Sequence, residues 1–376
     1  MKDLNIAVIG WGFMGRMHTY ALRALPLMYR DLDFRPRLKL LASGRIENAR
    51  AGMNEAGFEE CTSDWREILE RKDIDVVSVC TPNGLHEEMV ISLIKAGKHI
   101  YVDKPLTTTL ESAGRIRDAA KASDVKIALV MNNRFLPATI RAFELVREGR
   151  IGDITGFNAR YLHSGSIDPS KPIGWKQTGQ GGVILDLASH ALDLLCNLVG
   201  YPAQVYCMTN TLYPERPTKQ GTLCTDISED HAVMTLRLAS GAVGFCEASK
   251  IATGTNDELT FEVCGTKGAL RFDLMEPGWL WFFNNTLPEA PYGGERGFKR
   301  IECLGRYPFP SGSFPPPKNA VGWERGHIHS YYSFLDCVAH DKQPLCGIED
   351  AYRLAALMEA ARFSAQTGKL FYPDYD

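Results

Sequence analysis

Three groups of residues in this chain of 376 have types and spacings that suit chemistry. The first is Gly10-x-Gly12-x-x-Gly15, inside the stretch IAVIGWGFMGRMH at 6–18, where an apolar run meets a glycine-punctuated turn. Between a strand and a helix, the first glycine permits the tight turn and the second lets backbone approach a pyrophosphate. The third lets helix and strand pack closely, and free amides at the helix start then face the phosphates. The second group centres on Lys104, an ammonium between Asp103 and Pro105 just after the apolar run HIYV. Partial burial beside a cationic nicotinamide would lower its pKa and suit it to a reacting oxygen, although an ordinary loop lysine reads the same way. The third is QGGVILDLASHALDLL at 180–195, where Asp186 and His190 stand four apart. On a helix they share one face. A carboxylate beside an imidazole fixes its tautomer and supports the imidazolium, as a general base for a sugar hydroxyl requires. Alone, such a pair is more often structural; its coincidence with the other two groups points to catalysis.

Further candidates lie where predicted elements end. A carboxylate closing the second strand would bind the ribose 2′-hydroxyl of NAD. Here the strand closes in Ser43, Gly44 and Arg45, a hydroxyl and a guanidinium that suit a 2′-phosphate. The cofactor is therefore expected to be NAD or NADP, with a lean to NADP; Gly44 could equally let NAD bind through backbone, with Arg45 stacked on adenine. Thr81, Pro82, Asn83 and His86 follow the third apolar strand, and Asn132 and Arg134 follow the fifth. Arg134, Tyr161, His163, Trp175 and Lys176 offer the donors and flat apolar faces that sugars favour. His327-x-His329 has no third ligand at recognisable spacing, so no metal is expected, and a place by the substrate pocket or a helix cap is the better reading.

The elements that must position these residues fall into two rhythms. Apolar runs at 6–9, 37–43, 76–80, 99–102 and 126–130 alternate with amphipathic stretches such as 85–96 and 110–122. That alternation predicts a parallel sheet covered on both faces. After about residue 131 the runs at 154–163, 231–240, 241–249, 259–265 and 269–274 are separated by turn signals, including Ser240-Gly241 and 266–268. These predict an open, mostly antiparallel sheet, with helices at 137–148, 183–199, 328–338 and 350–366 and a surface loop at 308–317. The expected class is α/β: a Rossmann dinucleotide-binding domain at 1–131 and an α+β substrate-binding and oligomerisation domain at 132–376. The last helix could pack back on the first domain.

A net charge of −3 without a long basic run argues against nucleic-acid and membrane-surface partners. No apolar run approaches the roughly 18 residues that span a bilayer. The ten cysteines stand singly, as reduced thiols do, and a cytoplasmic protein is expected. An open sheet needing cover predicts a homodimer or homotetramer.

Together these motifs resemble the Gfo/Idh/MocA family of nicotinamide-dependent oxidoreductases. The resemblance spans nearly the whole chain and rests on Gly10-Trp11-Gly12-Phe13-Met14-Gly15, Thr81-Pro82-Asn83 with His86, Lys104-Pro105, and Gly181-Gly182 with Asp186 and His190. GFMGRMH, NNRFLPA and Trp175 are most similar to its levoglucosan-dehydrogenase-like branch. The resemblance implies a catalytic set of Lys104, Asp186 and His190, with His190 as base and Lys104 orienting the substrate oxygen. It further implies Phe13 and Met14 in the cofactor loop, and Thr81, Asn83 and His86 along the nicotinamide. The usual Glu-Lys-Pro is Asp103-Lys104-Pro105 here, which changes the reach of the first carboxylate. The expected activity is hydride transfer between NAD(P) and a hydroxyl-bearing carbon of a sugar, sugar derivative or polyol. Two alternatives remain open: a sugar oxidoreductase that retains and recycles its cofactor, and a non-catalytic dinucleotide-sensing protein.

Overall fold

A computed structural model of the protein describes residues 1–179, 181–307 and 314–376. By their contacts these residues form two compact units. The first comprises Met1–Phe135 and Glu324–Ala355 with the described part of Tyr307–Pro316. The second comprises the described part of Leu136–Arg306 with Pro317–Trp323 and Ala356–Asp376.

Six parallel strands build the sheet of the first unit: β1 (Lys2–Ile9), β2 (Phe34–Ala42), β3 (Glu60–Thr62), β4 (Val76–Val79), β5 (His99–Val102) and β6 (Ile127–Leu129). Their order is β3-β2-β1-β4-β5-β6. The helices α1 (Phe13–Met28), α2 (Ile46–Ala56), α3 (Glu67–Glu70), α4 (His86–Lys95) and α5 (Leu110–Lys121) supply the crossovers. All four residues of β4 are buried, which is why VVSV carries no alternation: a parallel strand is covered on both faces. The strand order reverses between β1 and β4, and in such a sheet the ligand crevice opens at the carboxyl ends of the strands on either side of that point. The sequence gives no sign of β3, because three residues are too short for a pattern. Residues 26–37 bridge two elements. Helix α1 carries Pro26 in its last turn, and β2 already starts at Phe34.

The second unit begins with α6 (Pro137–Arg147) and β7 (Ile154–Leu162). A π-helical turn at Ile184–Ala188 leads directly into α7 (Ser189–Val199). Then come β8 (Gln204–Asn210), the two-residue strands β9 (Arg216–Pro217) and β10 (Leu223–Cys224), β11 (His231–Arg237), β12 (Val243–Ser249), β13 (Glu258–Gly265), β14 (Gly268–Asp273), β15 (Trp279–Asn284) and β16 (Phe298–Glu302). Eight of them form a sheet in the order β16-β15-β14-β13-β7-β12-β11-β8, antiparallel except where β7 meets β12. Burial alternates along β11 and β13, so one face of the sheet is core. Leu192, Leu194 and Leu195 of α7 are at most 1% exposed, and each such burial is worth ~1.5–3 kcal/mol. The helix that carries the candidate base is thereby fixed within its unit. Strands β8, β15 and β16 escape the sequence reading; in WLWFFN the apolar residues run without alternation. Of the loop expected at 308–317, residues 308–313 lie outside the described residues.

The chain closes with α8 (Trp323–Ala339) and α9 (Ile348–Thr367), each longer than its predicted span. Within the first unit α8 packs on β5: the Tyr101 hydroxyl is 2.8 Å from Ser330 Oγ, and the Tyr101 ring centroid is 4.2 Å from that of Tyr331. Among the described residues no helix is long and apolar enough to cross a membrane.

Candidate active site

The first unit presents a glycine cradle. Gly10 has φ +104°, and a Cβ there would lie 2.6 Å from the Cys80 carbonyl oxygen that closes β4. A Cβ on Gly15 would lie 2.0 Å from the Gly10 carbonyl oxygen. Both glycines are therefore demanded by the protein itself. Gly12 differs: a Cβ there would meet nothing within 4 Å. It is the N-cap of α1, whose first turn has neither a side-chain cap nor an acidic residue. The positive end of α1 thus begins beside open space at Gly12 with no side-chain cap, an arrangement that fits a dinucleotide pyrophosphate.

The neighbouring strand-end loops are tied together by His86, which is fully buried at the start of α4. Its Nδ1 is 3.1 Å from the Leu106 carbonyl oxygen and its Nε2 is 3.0 Å from that of Thr81. Burial pushes its pKa down, against the pull of Asp103 and the surrounding carbonyls. The ring thereby pins the Thr81-Pro82-Asn83 loop to the segment that carries Lys104. Asn83 is buried in a short 3₁₀ turn. Asp103 Oδ1 accepts the Lys104 backbone N–H at 2.9 Å, and the Lys104–Pro105 peptide is cis. At the end of β6, Asn132 donates to Asn133 Oδ1 at 3.1 Å. Arg134, 7% exposed, donates to the Leu345 carbonyl and to Asp350, both at 3.0 Å. Its guanidinium is committed to the first turn of α9.

At the close of β2, Ser43 is half-buried and Gly44 and Arg45 are exposed. The Arg45 guanidinium pairs with no acid among the described residues, and a Cβ at Gly44 would meet nothing within 4 Å. His18 of GFMGRMH is a core residue: Nδ1 is 2.7 Å from Ser78 Oγ, and burial pushes its pKa down to about 4. His327 and His329 are also buried in this unit. His327 lies beside His18 with ring centroids 6.2 Å apart, and burial holds it well below its ordinary value. The Nδ1 of His329 is 2.6 Å from the Tyr29 hydroxyl, and burial pushes that ring down to about 3. The histidines thus meet different neighbours. Among the described residues no group of three or more His, Cys, Asp or Glu side chains is placed to hold a metal.

The second unit collects charge around Asp186. The carboxylate sits on the π turn, a distortion that recurs at functional sites. Its Oδ1 is 2.9 Å from Lys176 Nζ and its Oδ2 is 3.1 Å from Lys250 Nζ. His190 follows one turn on, and its ring stands edge-on to Tyr161 with centroids 5.7 Å apart. The Tyr161 hydroxyl donates to Asp257 at 2.7 Å, and His163 Nε2 is 2.9 Å from the same oxygen. Burial pushes Tyr161 well up; on Asp257, hydrogen bonds from His163 and Tyr161 outweigh burial and hold the carboxyl below its usual range. Exposed Trp175 lies under the Lys176 ammonium, 5.6 Å from ring centroid to Nζ. This unit therefore brings together Asp186, His190, Tyr161, His163, Trp175 and Lys176.

The pair Gly181-Gly182 gains a local reason. A Cβ on Gly181 would lie 2.4 Å from the Lys176 carbonyl oxygen, and one on Gly182, at φ +101°, would lie 2.2 Å from a Glu229 oxygen. Glu229 itself accepts the Ile184 N–H at 3.1 Å, capping the helical segment that holds Asp186. Sequence reasoning misses Glu229, Lys250 and Asp257. Only Lys250 leaves a trace, as a lysine that continues the buried end of β12.

A parallel Rossmann sheet with a phosphate cradle, joined in one chain to a sheet bearing a histidine–carboxylate–lysine cluster, defines a nicotinamide-dependent oxidoreductase. Residues 4–131 match the oxidoreductase family with an NAD-binding Rossmann fold, and residues 139–271 match the GFO/IDH/MocA C-terminal domain. Levoglucosan dehydrogenase of Pseudarthrobacter phenanthrenivorans is 33% identical over 97% of either chain. Myo-inositol 2-dehydrogenase of Thermotoga maritima is 29% identical over 72% of this chain and 75% of its own. A structure of levoglucosan dehydrogenase in complex with NADH and levoglucosan superposes with a TM-score of 0.95 at 32% identity, covering all of both chains. The chain belongs to the Gfo/Idh/MocA family.

Proposed function

We propose that the protein is a sugar dehydrogenase in which His190 removes the proton from a hydroxyl of a sugar, sugar derivative or polyol while Lys104 stabilises the developing alkoxide. The observation that carries this reading is the clamped Asp186 carboxylate one helical turn before His190. A fixed negative charge there stabilises the imidazolium that forms when the base acts. Tyr161, held by Asp257, sets its ring edge-on beside the His190 imidazole. Trp175 and Lys176 offer a flat apolar face and a donor to the sugar. The relatives named for levoglucosan and myo-inositol support an alcohol of this kind as substrate.

The cofactor supplies hydride exchange at the carbon that bears the hydroxyl. Gly10, Gly12 and Gly15 with the α1 amides would hold its pyrophosphate, and the Thr81–Asn83 loop would line its nicotinamide end. The NADH complexes of similar proteins support NAD. Arg45, without an acidic partner among the described residues, and Ser43 favour acceptance of a 2′-phosphate as well. On the outer sheet face Met208 and Val233 are exposed cross-strand neighbours, which supports assembly as a dimer or tetramer.

The test is His190→Ala, with cofactor binding followed by nucleotide fluorescence and turnover followed on a panel of sugars and cyclitols. Loss of the base is expected to lower turnover by about 10²–10⁴ with cofactor affinity unchanged. Full turnover in the variant would remove His190 from the mechanism.

A further inference from the structure

Asp186 is held by two ammonium groups in different surroundings. The Lys176 side chain is 47% exposed, whereas that of Lys250 is 9% exposed. Lys250 directly follows β12, and its backbone N–H donates to the Asp230 carbonyl at 2.8 Å, so the main chain fixes where the side chain starts. Its Nζ then reaches Asp186 Oδ2 at 3.1 Å and the Lys176 carbonyl at 3.4 Å. A buried ammonium is costly unless a carboxylate faces it. Asp186 is that carboxylate, with the buried Glu229 also in its field. One carboxylate therefore has each oxygen assigned to a separate cation, and the better-buried cation comes from a strand end about 60 residues away in sequence.

We propose that Lys250 is a positioning residue of the reaction: it fixes Asp186 as a carboxylate of set orientation on the π turn, so that this charge stays constant while His190 gains and loses its proton. The inference rests on the reading of Asp186 and His190 given above. Among the described residues of this unit, the charged and titratable groups around Asp186 include Lys176 from the turn at Trp175–Gln177, Lys250 from the end of β12, Tyr161 from β7 with Asp257 and His163 behind it, Glu229 before β11 with Arg362 of α9 behind it, and His190 on α7. Removing the Lys250 charge makes protonation easier at both Asp186 and His190, and both changes act in the same direction on the rate. The acidic limb of kcat/KM must move to higher pH.

The experiment compares Lys250→Met, Lys250→Arg and Lys176→Met across the pH profile of kcat/KM, with cofactor binding and circular dichroism as checks on folding. Lys250→Met is expected to move the acidic limb up by about one pH unit and to lower kcat/KM roughly ten-fold, mostly through kcat. Lys250→Arg is expected to return the limb towards its original place, and Lys176→Met to move it less, because solvent screens that ammonium. A folded Lys250→Met variant with an unmoved limb would reduce Lys250 to a fold-supporting residue and overturn the proposal. If that variant does not fold, Asp186→Asn with and without Lys250→Met decides, compared at a pH above the acidic limb where His190 is neutral in both: the second change must cost nothing further in activity there if Lys250 acts through Asp186, and an added loss overturns it. An active His190→Ala enzyme would instead show that the reading of the whole site has failed, a result distinct from an unmoved limb.

Discussion

The two units prepare their sites by opposite means. In the first, the cradle at Gly10, Gly12 and Gly15 is made by leaving side chains out, and main-chain amides do the binding. In the second, Lys176, Asp186, Glu229 and Lys250 arrive from four separate segments, and the site exists only through their mutual compensation. A phosphate needs donors in a fixed arc, which one turn of backbone supplies. A proton-moving group needs a field that stays constant while its own charge changes, and such a field requires counter-charges from across the sheet.

The largest expected effect tests whether the glycine cradle really divides into structural and ligand-facing positions. Gly15→Ala places a methyl 2.0 Å from the Gly10 carbonyl, so the first unit should lose ~3 kcal/mol or more of stability and bind no cofactor. Gly12→Ala meets nothing within 4 Å and should leave Tm unchanged while weakening cofactor binding by at least roughly ten-fold. Thermal unfolding and nucleotide titration of the two variants separate these outcomes. Equal loss of stability in both would erase the distinction between backbone cradle and ligand contact.

That division also explains what was legible in the sequence. The glycine loop, the strand ends and most of the parallel sheet follow from patterns within a dozen residues, and the short β3 is lost only because three residues hold no period. The Asp186–His190 spacing is visible too, but a four-residue interval predicts an ordinary α-helical face, whereas Asp186 sits on a π turn whose first N–H is accepted by Glu229, about 45 residues further on. Lys250 and Asp257 are legible only afterwards, because their significance comes from sheet register: β12 lies beside β7, and β7 beside β13. Arg134 shows the converse. A cation at a strand end reads as a ligand contact, yet its guanidinium is committed to Asp350, more than 200 residues further on.

Acid should separate the units more gently. His18 and His329 are buried, with pKa values pushed from 6.5 down to about 4 and about 3. Their folded values are depressed, so the stability they contribute is present above pH 6.5 and is lost as pH falls through that range towards their folded values. For His18 the full loss is on the order of 3 kcal/mol. Asp257 in the second unit is held below the ordinary carboxylate value of 3.8, so its contribution fails only at lower pH. Hydrogen exchange followed from pH 7.5 to about 4 should therefore show amides of α8 losing protection before those of β7 and β13. His18→Asn should make the early loss shallower. Simultaneous loss in both units would mean that they unfold as one cooperative body.

The smallest effect concerns the edge of the cradle where backbone recognition gives way to side-chain recognition. Arg45 is exposed beside Gly44 and Ser43, and no acid among the described residues competes for its guanidinium. A 2′-phosphate would gain a charge-assisted contact there, whereas NAD would gain at most stacking on adenine. Exposure and salt screening limit the gain, so Arg45→Ala should weaken NADP binding by no more than roughly ten-fold and NAD binding by less. Titrating both nucleotides at low and high salt reads the difference: a charge contact fades with salt, and a stacking contact does not. If NADP affinity is unchanged at either salt, Arg45 takes no part in selectivity, and the first unit recognises its ligand through backbone alone. The contrast with the charge-built second unit would then be sharper still.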